Sequence, residues 1–325
     1  MSKKQKVEES QAAAAAAAKK VASDENANKE EEVDTIELDP TAKDVDLTRR
    51  RIKKIEGFEF LHNLENLCLR WNLISKMENL SSLVKLVELD LYDNQITKIE
   101  NLDALVNLES LDLCYNRITK LEGLSTLKKL KTLFIMHNKI EKIEGLENLT
   151  ELYYLELGDN RITKIEGLDN CKKLERLMLG ANQIKKIENL NHLPALKMLS
   201  LPGNAIVKIE NLNNLTAMKE LYLSQNGIKY IENLDGLDLE ILDLNYNRIE
   251  KVQNVSHLKN LTDFWARHNK ISEYKDLEEL TKLPNLSLVY LEFCPIASKP
   301  DYRETVIAAL PSLQRLDAEY CYRKL

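Results

Sequence analysis

Leu89-Asp90-Leu91-Tyr92-Asp93-Asn94-Gln95-Ile96 is the stretch that decides how this chain folds. Its asparagine belongs to a series at positions 72, 94, 116, 138, 160, 182, 204 and 226, every step 22 residues long. Asn247 and Asn269 continue the series after one step of 21. Beyond the quoted stretch the apolar positions run on through Ile99, Leu102, Leu105, Leu108 and Leu111. Self-similarity at a fixed period of this size is the mark of stacked repeats, in which one unit cannot bury its apolar face without a neighbour.

Each position of the frame has a physical reading. Leu-x-Leu is a short strand with both leucines on one face, because side chains alternate along a strand. The asparagine turns inward, where its amide can bond the backbone of neighbouring loops and satisfy buried polar groups. The later Ile and Leu positions close the core. The frame LxLxxNxIxxIxxLxxLxx is a leucine-rich repeat. The expected fold is therefore an α/β solenoid of 22-residue repeats, with a parallel β-sheet on the concave face and short helical or 3-10 turns on the convex face.

The ends depart from the frame. Residues 1–43 are low in complexity, with the run Ala12–Ala18 and an acidic stretch from Asp24 to Asp34, and are expected to be a disordered tail. The solenoid is expected over 44–298, about 11–12 repeats with degenerate end repeats. Val45-Asp46-Leu47 and Ile52 fit the frame, but Arg50 holds the asparagine position. Val289-Tyr290-Leu291 is a strand, preceded by three extra residues and followed by Cys294 in place of asparagine. Residues 299–325 read as a helical cap. Asp301 and Glu304 form a capping-box-like pair, Tyr302, Val306, Ala309 and Leu310 share one helical face, and Pro311 ends it. Leu313 and Leu316 are expected to seal the last repeat. With both ends capped, a monomer is expected.

Composition excludes several classes. Residues 1–44 hold seven Lys and eleven Asp/Glu, so −4 of the net charge of −6 lies in the tail and the body is close to neutral. That is not the surface of a nucleic-acid binder. The five cysteines, Cys68, Cys114, Cys171, Cys294 and Cys321, show no CxxC spacing, so neither a disulfide framework nor a zinc site is expected. No apolar run approaches the length of a membrane span, and the N-terminus, broken by Glu8 and Glu9, does not read as a signal peptide. No nucleophile pattern surrounds any histidine and no glycine-rich phosphate loop occurs, so no catalytic residues, cofactor or metal are expected.

The residues between and beside the paired leucines line the concave sheet. They include Arg70, Asp90, Tyr92, Asp112, Phe134, Glu156, Met178, Tyr222, Asp243, Asp263, Trp265, Arg267, Tyr290 and Glu292, and no lysine. Aromatic anchors among charges are the composition of a protein-binding hot spot, and the excess of carboxylates favours a partner with basic patches. A second stripe sets Lys98, Lys120, Lys142 and Lys164 beside Glu100, Glu122, Glu144 and Glu166, a solvated charge ladder whose glutamates cancel the field a nucleic acid would need.

The uniform NxIxKIExL frame, Leu89 to Ile96, Asp263-Phe264-Trp265, and Val289 to Glu292 running on to Ala309-Leu310-Pro311-Ser312 resemble the leucine-rich-repeat regulatory subunits of protein phosphatase 1. The resemblance implies a non-catalytic protein that holds the phosphatase catalytic subunit on its concave face, alongside further phosphatase regulators, in nucleus and cytoplasm and in mitosis. It carries over to Asp112, Phe134, Glu156, Met178, Asp243, Asp263, Trp265 and Tyr290, to which the face itself adds Tyr222 and Glu292. Met178 stands where that family has an aromatic, and Asp263 where it has a longer glutamate. The competing expectation is an adaptor in a ribonucleoprotein or ciliary assembly.

Overall fold

The computed structural model describes residues 36–322. Most of the expected tail, residues 1–35, lies outside the described residues. Within residues 36–43, Leu38 and Ala42 pack against the edge of the core.

Fourteen strands form one sheet in sequence order. They are β1 Asp44–Asp46, β2 Asn66–Cys68, β3 Glu88–Asp90, β4 Ser110–Asp112, β5 Thr132–Phe134, β6 Tyr154–Glu156, β7 Arg176–Met178, β8 Met198–Ser200, β9 Glu220–Tyr222, β10 Ile241–Asp243, β11 Asp263–Trp265, β12 Leu288–Tyr290, β13 Arg315–Leu316 and β14 Glu319–Tyr320. All neighbours pair in parallel except β13 and β14, which close the C-terminal edge as an antiparallel pair. The middle residue of each three-residue strand and the leucine two positions on are both buried, as at Leu89 and Leu91. The one 21-residue step leaves the sheet untouched, since Ile241 still pairs with Glu220.

The asparagines form the expected ladder. Asn94 Nδ2 donates to Leu69 O of the preceding repeat at 3.0 Å and to Leu91 O of its own at 3.1 Å, and its Oδ1 accepts Ile74 N–H at 3.0 Å. At the C-terminal end Cys294 takes the position, its thiol donating to Ala266 O at 3.1 Å. Asp317 then terminates the ladder, accepting the N–H groups of Leu291 at 2.8 Å and Glu292 at 3.0 Å.

The convex side is built of turns, and regular helix is confined to the C-terminal repeats. Leu83 N–H donates to Leu80 O and Leu86 N–H to Leu83 O, both at 3.0 Å, and the same pair of i→i+3 bonds recurs at Leu105 and Leu108. The cause is the spacing of the core residues. Ile74, Met77, Leu80, Leu83, Leu86 and Leu89 come every third residue and all are buried, which fits three residues per turn and not 3.6. The lengthened repeat before β12 extends this into a 3-10 helix, Tyr274–Lys282, with Leu277, Leu280 and the following Leu283 buried, and a shorter one, Pro295–Ser298, follows β12.

The cap helix, α1, spans Tyr302–Ala309. The expected pairing of Asp301 with Glu304 does not form. Asp301 makes no side-chain bond to the helix N-terminus; its Oδ1 accepts the hydroxyl of Tyr274 at 2.7 Å and its Oδ2 that of Thr305 at 3.2 Å. Ala309 is exposed as well: Tyr302, Val306 and Leu310 are buried at i, i+4 spacing with Ile307 beside them, turning Ala309 out.

A second ladder on the convex side was not anticipated. Asn79, Asn101, Asn189, Asn211, Asn233 and Asn254 adopt positive φ, and their amides reach the repeat before, as Asn101 Nδ2 to Met77 O at 2.6 Å. In four repeats glycine replaces that asparagine, at Gly57, Gly123, Gly145 and Gly167. At Gly123, with φ +67°, a Cβ would lie 2.6 Å from Ile99 O. Gly123→Ala is therefore expected to cost about 2 kcal/mol. Gly123→Asn should cost less, because asparagine tolerates this conformation and can bond the same carbonyl. Chemical denaturation ranks the two; equal losses would refute the bridging role.

On the outer flank Lys98 lies 3.4 Å from Glu100, Lys120 reaches both Glu122 at 3.9 Å and Glu144 at 3.8 Å, and Lys164 lies 3.3 Å from Glu166. These exposed pairs contribute a few tenths of a kcal/mol each. They offset like-charge repulsion between repeats.

Candidate partner-binding face

Because strands in a parallel sheet stay in register, one position of the repeat becomes a row across the whole face. The pairing runs Asp112, Phe134, Glu156, Met178, Ser200, Tyr222, Asp243, Trp265, Tyr290. Eight of the residues expected from the sequence thus stand on a single line, with Ser200 between Met178 and Tyr222. Asp263 lies in the neighbouring row, opposite Ile241 and Leu288. Glu292 follows β12 and pairs with Arg267 at 2.9 Å.

The carboxylates divide into two kinds. Asp90 and Asp112 share Arg70, at 3.3 Å and 3.9 Å, and Glu292 has Arg267. Glu156 and Asp243 have no cation among the described residues. Glu156 accepts only Gly158 N–H at 2.7 Å, and Asp243, 7% exposed, accepts Asn245 N–H at 2.9 Å. Burial pushes both carboxyls above the ordinary range, partly countered by those backbone bonds. A buried, unpaired anion is a cost to the free protein that a partner's ammonium or guanidinium would remove.

The sign of that cost is testable. A carboxyl whose folded pKa lies above its unfolded value binds more protons in the native state, so stability falls as pH rises from about the ordinary 3.8 through the raised folded value. Above that window the whole penalty is present. Asp243→Asn is therefore expected to raise the melting temperature by a few degrees at pH 7, with a gain that shrinks toward pH 4. A pH-independent difference, or a loss at pH 7, would contradict it.

Aromatic residues flank each unpaired carboxylate. Phe134 meets Tyr154 edge-on with centroids 5.1 Å apart, next to Glu156. Trp265 lies 6.1 Å from Tyr222 and 6.2 Å from Tyr290, beside Asp243. Its buried Nε1 has no hydrogen-bond partner among the described residues. Arg267 stacks over Tyr290 at 3.9 Å. Arg267 thus holds Tyr290 and Glu292 together, a role its sequence position did not reveal. No cluster of His, Cys, Asp or Glu among the described residues has the arrangement of a metal site.

The ladder, the three-residue strands and the sheet-lined face define the class: the chain is a leucine-rich-repeat protein. A leucine-rich-repeat family model matches residues 199–324, and a model of two repeat copies matches residues 106–148 and 148–192. Among solved structures, an internalin (inlF) from Listeria monocytogenes superposes with a TM-score of 0.68 at 25% identity, covering 86% of this chain and 87% of that one.

More particular likenesses are short. Protein phosphatase 1 regulatory subunit 7 of Homo sapiens is 58% identical over 43 residues, 13% of this chain and 12% of that protein. Cilia- and flagella-associated protein 410 of Homo sapiens is 36% identical over 81 residues, 24% of this chain and 32% of that protein. The matches to these curated relatives therefore span less than a third of the relatives' own length.

Proposed function

We propose that this protein is a non-catalytic regulatory subunit that binds the catalytic subunit of protein phosphatase 1 on its concave face. The observation that carries this reading is the single register row on which Asp112, Phe134, Glu156, Met178, Asp243, Trp265 and Tyr290 align. These are positions the family resemblance assigns to phosphatase contact. The short match to a phosphatase regulatory subunit supports it. Glu156 and Asp243 receive cationic side chains of the catalytic subunit, while Phe134, Trp265 and Tyr290 anchor apolar contact. Met178 replaces an aromatic with a side chain that repacks easily. By this reading the protein is a monomer by itself, is not an enzyme, and works in nucleus and cytoplasm.

Calorimetry of the purified chain with the phosphatase catalytic subunit tests the proposal, beside an Asp243→Ala/Trp265→Ala double variant. Submicromolar binding that the variant loses is the expected result. Absence of wild-type binding would overturn it. The second reading, an adaptor in a ciliary assembly, is favoured by one observation: the likeness to the cilia- and flagella-associated protein covers more of this chain, 24% against 13%.

A further inference from the structure

Beside the sheet face runs a rim whose chemistry is opposite in sign. The residue before each ladder asparagine adopts positive φ, between 51° and 62° for the non-glycine members from Trp71 to Phe293. This conformation favours Gly, Asn or Asp, yet near the C-terminal end the position holds Tyr246, His268 and Phe293. The three rings stack in succession, 4.2 Å apart at 15° and 12°, with Phe293 69% exposed. Near the N-terminal end Tyr115 stacks on His137 at 4.5 Å.

The residue after each ladder asparagine forms a parallel row. It carries Arg117, Lys139 and Arg161 beside the first ring stack and Arg248 and Lys270 beside the second. All five are exposed, and none makes an ion pair among the described residues, unlike the lysines of the outer flank. Three stacked cations about one strand spacing apart repel one another, and the one carboxylate in the ring row beside them, Asp159, is taken up by His137. Between the two groups the same slots hold Ala181, Gln183, Gly203, Ala205, Gln225 and Gly227, all uncharged.

The geometry points to this rim as a second docking surface, one that takes an acidic peptide segment of a partner protein. Rings stacked face on face turn their edges to solvent, and aromatic edges are the positive end of the ring quadrupole. Edges and free cations together select carboxylates. The same stacking covers the inner ring faces and leaves only the outer faces of the end rings for a nucleobase, which disfavours a continuous stack of single-stranded nucleic acid. From Arg117 to Lys270 the row spans seven strand spacings, about 34 Å, the length of about ten extended residues. The segment that fits is acidic at both ends and small or neutral in the middle, where the rim is low.

The probe is a fluorescein-labelled peptide of four glutamates, a Ser-Gly-Ser-Gly spacer and four glutamates, titrated with the full chain by fluorescence anisotropy. Saturable binding is expected. It should weaken about tenfold in Arg117→Gln/Lys139→Gln/Arg161→Gln and in Arg248→Gln/Lys270→Gln, and should fall with added salt. The melting temperatures of both variants should match the wild type, separating lost binding from lost folding. Absence of saturable binding would overturn the proposal, as would binding indifferent to both variants. A ten-nucleotide oligothymidylate that binds more tightly than the peptide through the same residues would reassign the rim to nucleic acid.

Discussion

Asn160→Ala is expected to remove about 3–5 kcal/mol of folding stability, far more than any exposed charge of the repeat. Asn160 is 8% exposed and lies in the middle of the ladder. Its Nδ2 donates to Ile135 O at 2.9 Å, Leu157 O at 3.0 Å and Gly158 O at 3.1 Å, and its Oδ1 accepts Ile140 N–H at 3.0 Å. Alanine leaves Ile140 N–H without its acceptor and takes one donor from each of the three carbonyls, which keep only Asn138 Nδ2, Asn182 Nδ2 and His137 N–H, in a space too dry to replace what is lost. Ile135 and Ile140 belong to the preceding repeat, so the change also weakens the coupling between neighbours. In a stacked array stability is a sum of such couplings, and a weak central one lets the halves unfold separately. Trp71 and Trp265 lie on opposite sides of the cut. Guanidinium unfolding followed by fluorescence in Trp71→Phe and Trp265→Phe backgrounds should give two midpoints for the Asn160 variant and one without it. A loss below about 1 kcal/mol with a single midpoint would show that the asparagine ladder does not hold the stack together.

The second large effect concerns binding. Under the phosphatase reading, Trp265→Ala should weaken association with the catalytic subunit by about 2–4 kcal/mol, or roughly thirtyfold to a thousandfold. Trp265 stands between Tyr222 and Tyr290, in register with Asp243. Its indole nitrogen is buried without a partner among the described residues, and its position on β11 stands beside that of Asp243 on β10. Truncation removes contact area and admits water to a carboxylate whose attraction for a cation depends on a dry surrounding. Phe264, next in sequence, points the other way and is fully buried. Phe264→Ala should therefore lower stability strongly, while Trp265→Ala should leave it nearly unchanged. A loss of affinity below tenfold for Trp265→Ala would remove this residue from the anchors.

Much of the molecule was legible because its neighbours are encoded at a constant offset. A residue and the one 22 positions on stand side by side, so Asn94 and Asn116, or Asp112 and Phe134, can be paired from sequence alone. The leucine positions likewise announced the core. The convex face was expected to carry short helical or 3-10 turns, and the three-residue spacing of Leu80, Leu83 and Leu86 gives those turns their i→i+3 pitch. The cap was harder. It breaks the period, so Asp301 could be matched to Glu304 by motif but not to Tyr274, its partner in space. The second asparagine ladder carried a signal, the interchange of Asn and Gly at one position, which points to positive φ.

By itself, then, the sequence determined the solenoid, its sheet, its buried side chains and the residues that line the sheet face, because each of these follows from local periodicity repeated in register. Only the tertiary structure decided which concave carboxylates are neutralised. Arg70 and Arg267 reach Asp90, Asp112 and Glu292, leaving Glu156 half-buried and Asp243 buried without a counter-ion among the described residues. It also decided that the rim rings stack edge-outward beside unpaired cations. Both depend on where long side chains end, and that is set by the space the neighbouring repeats leave and not by the repeat itself.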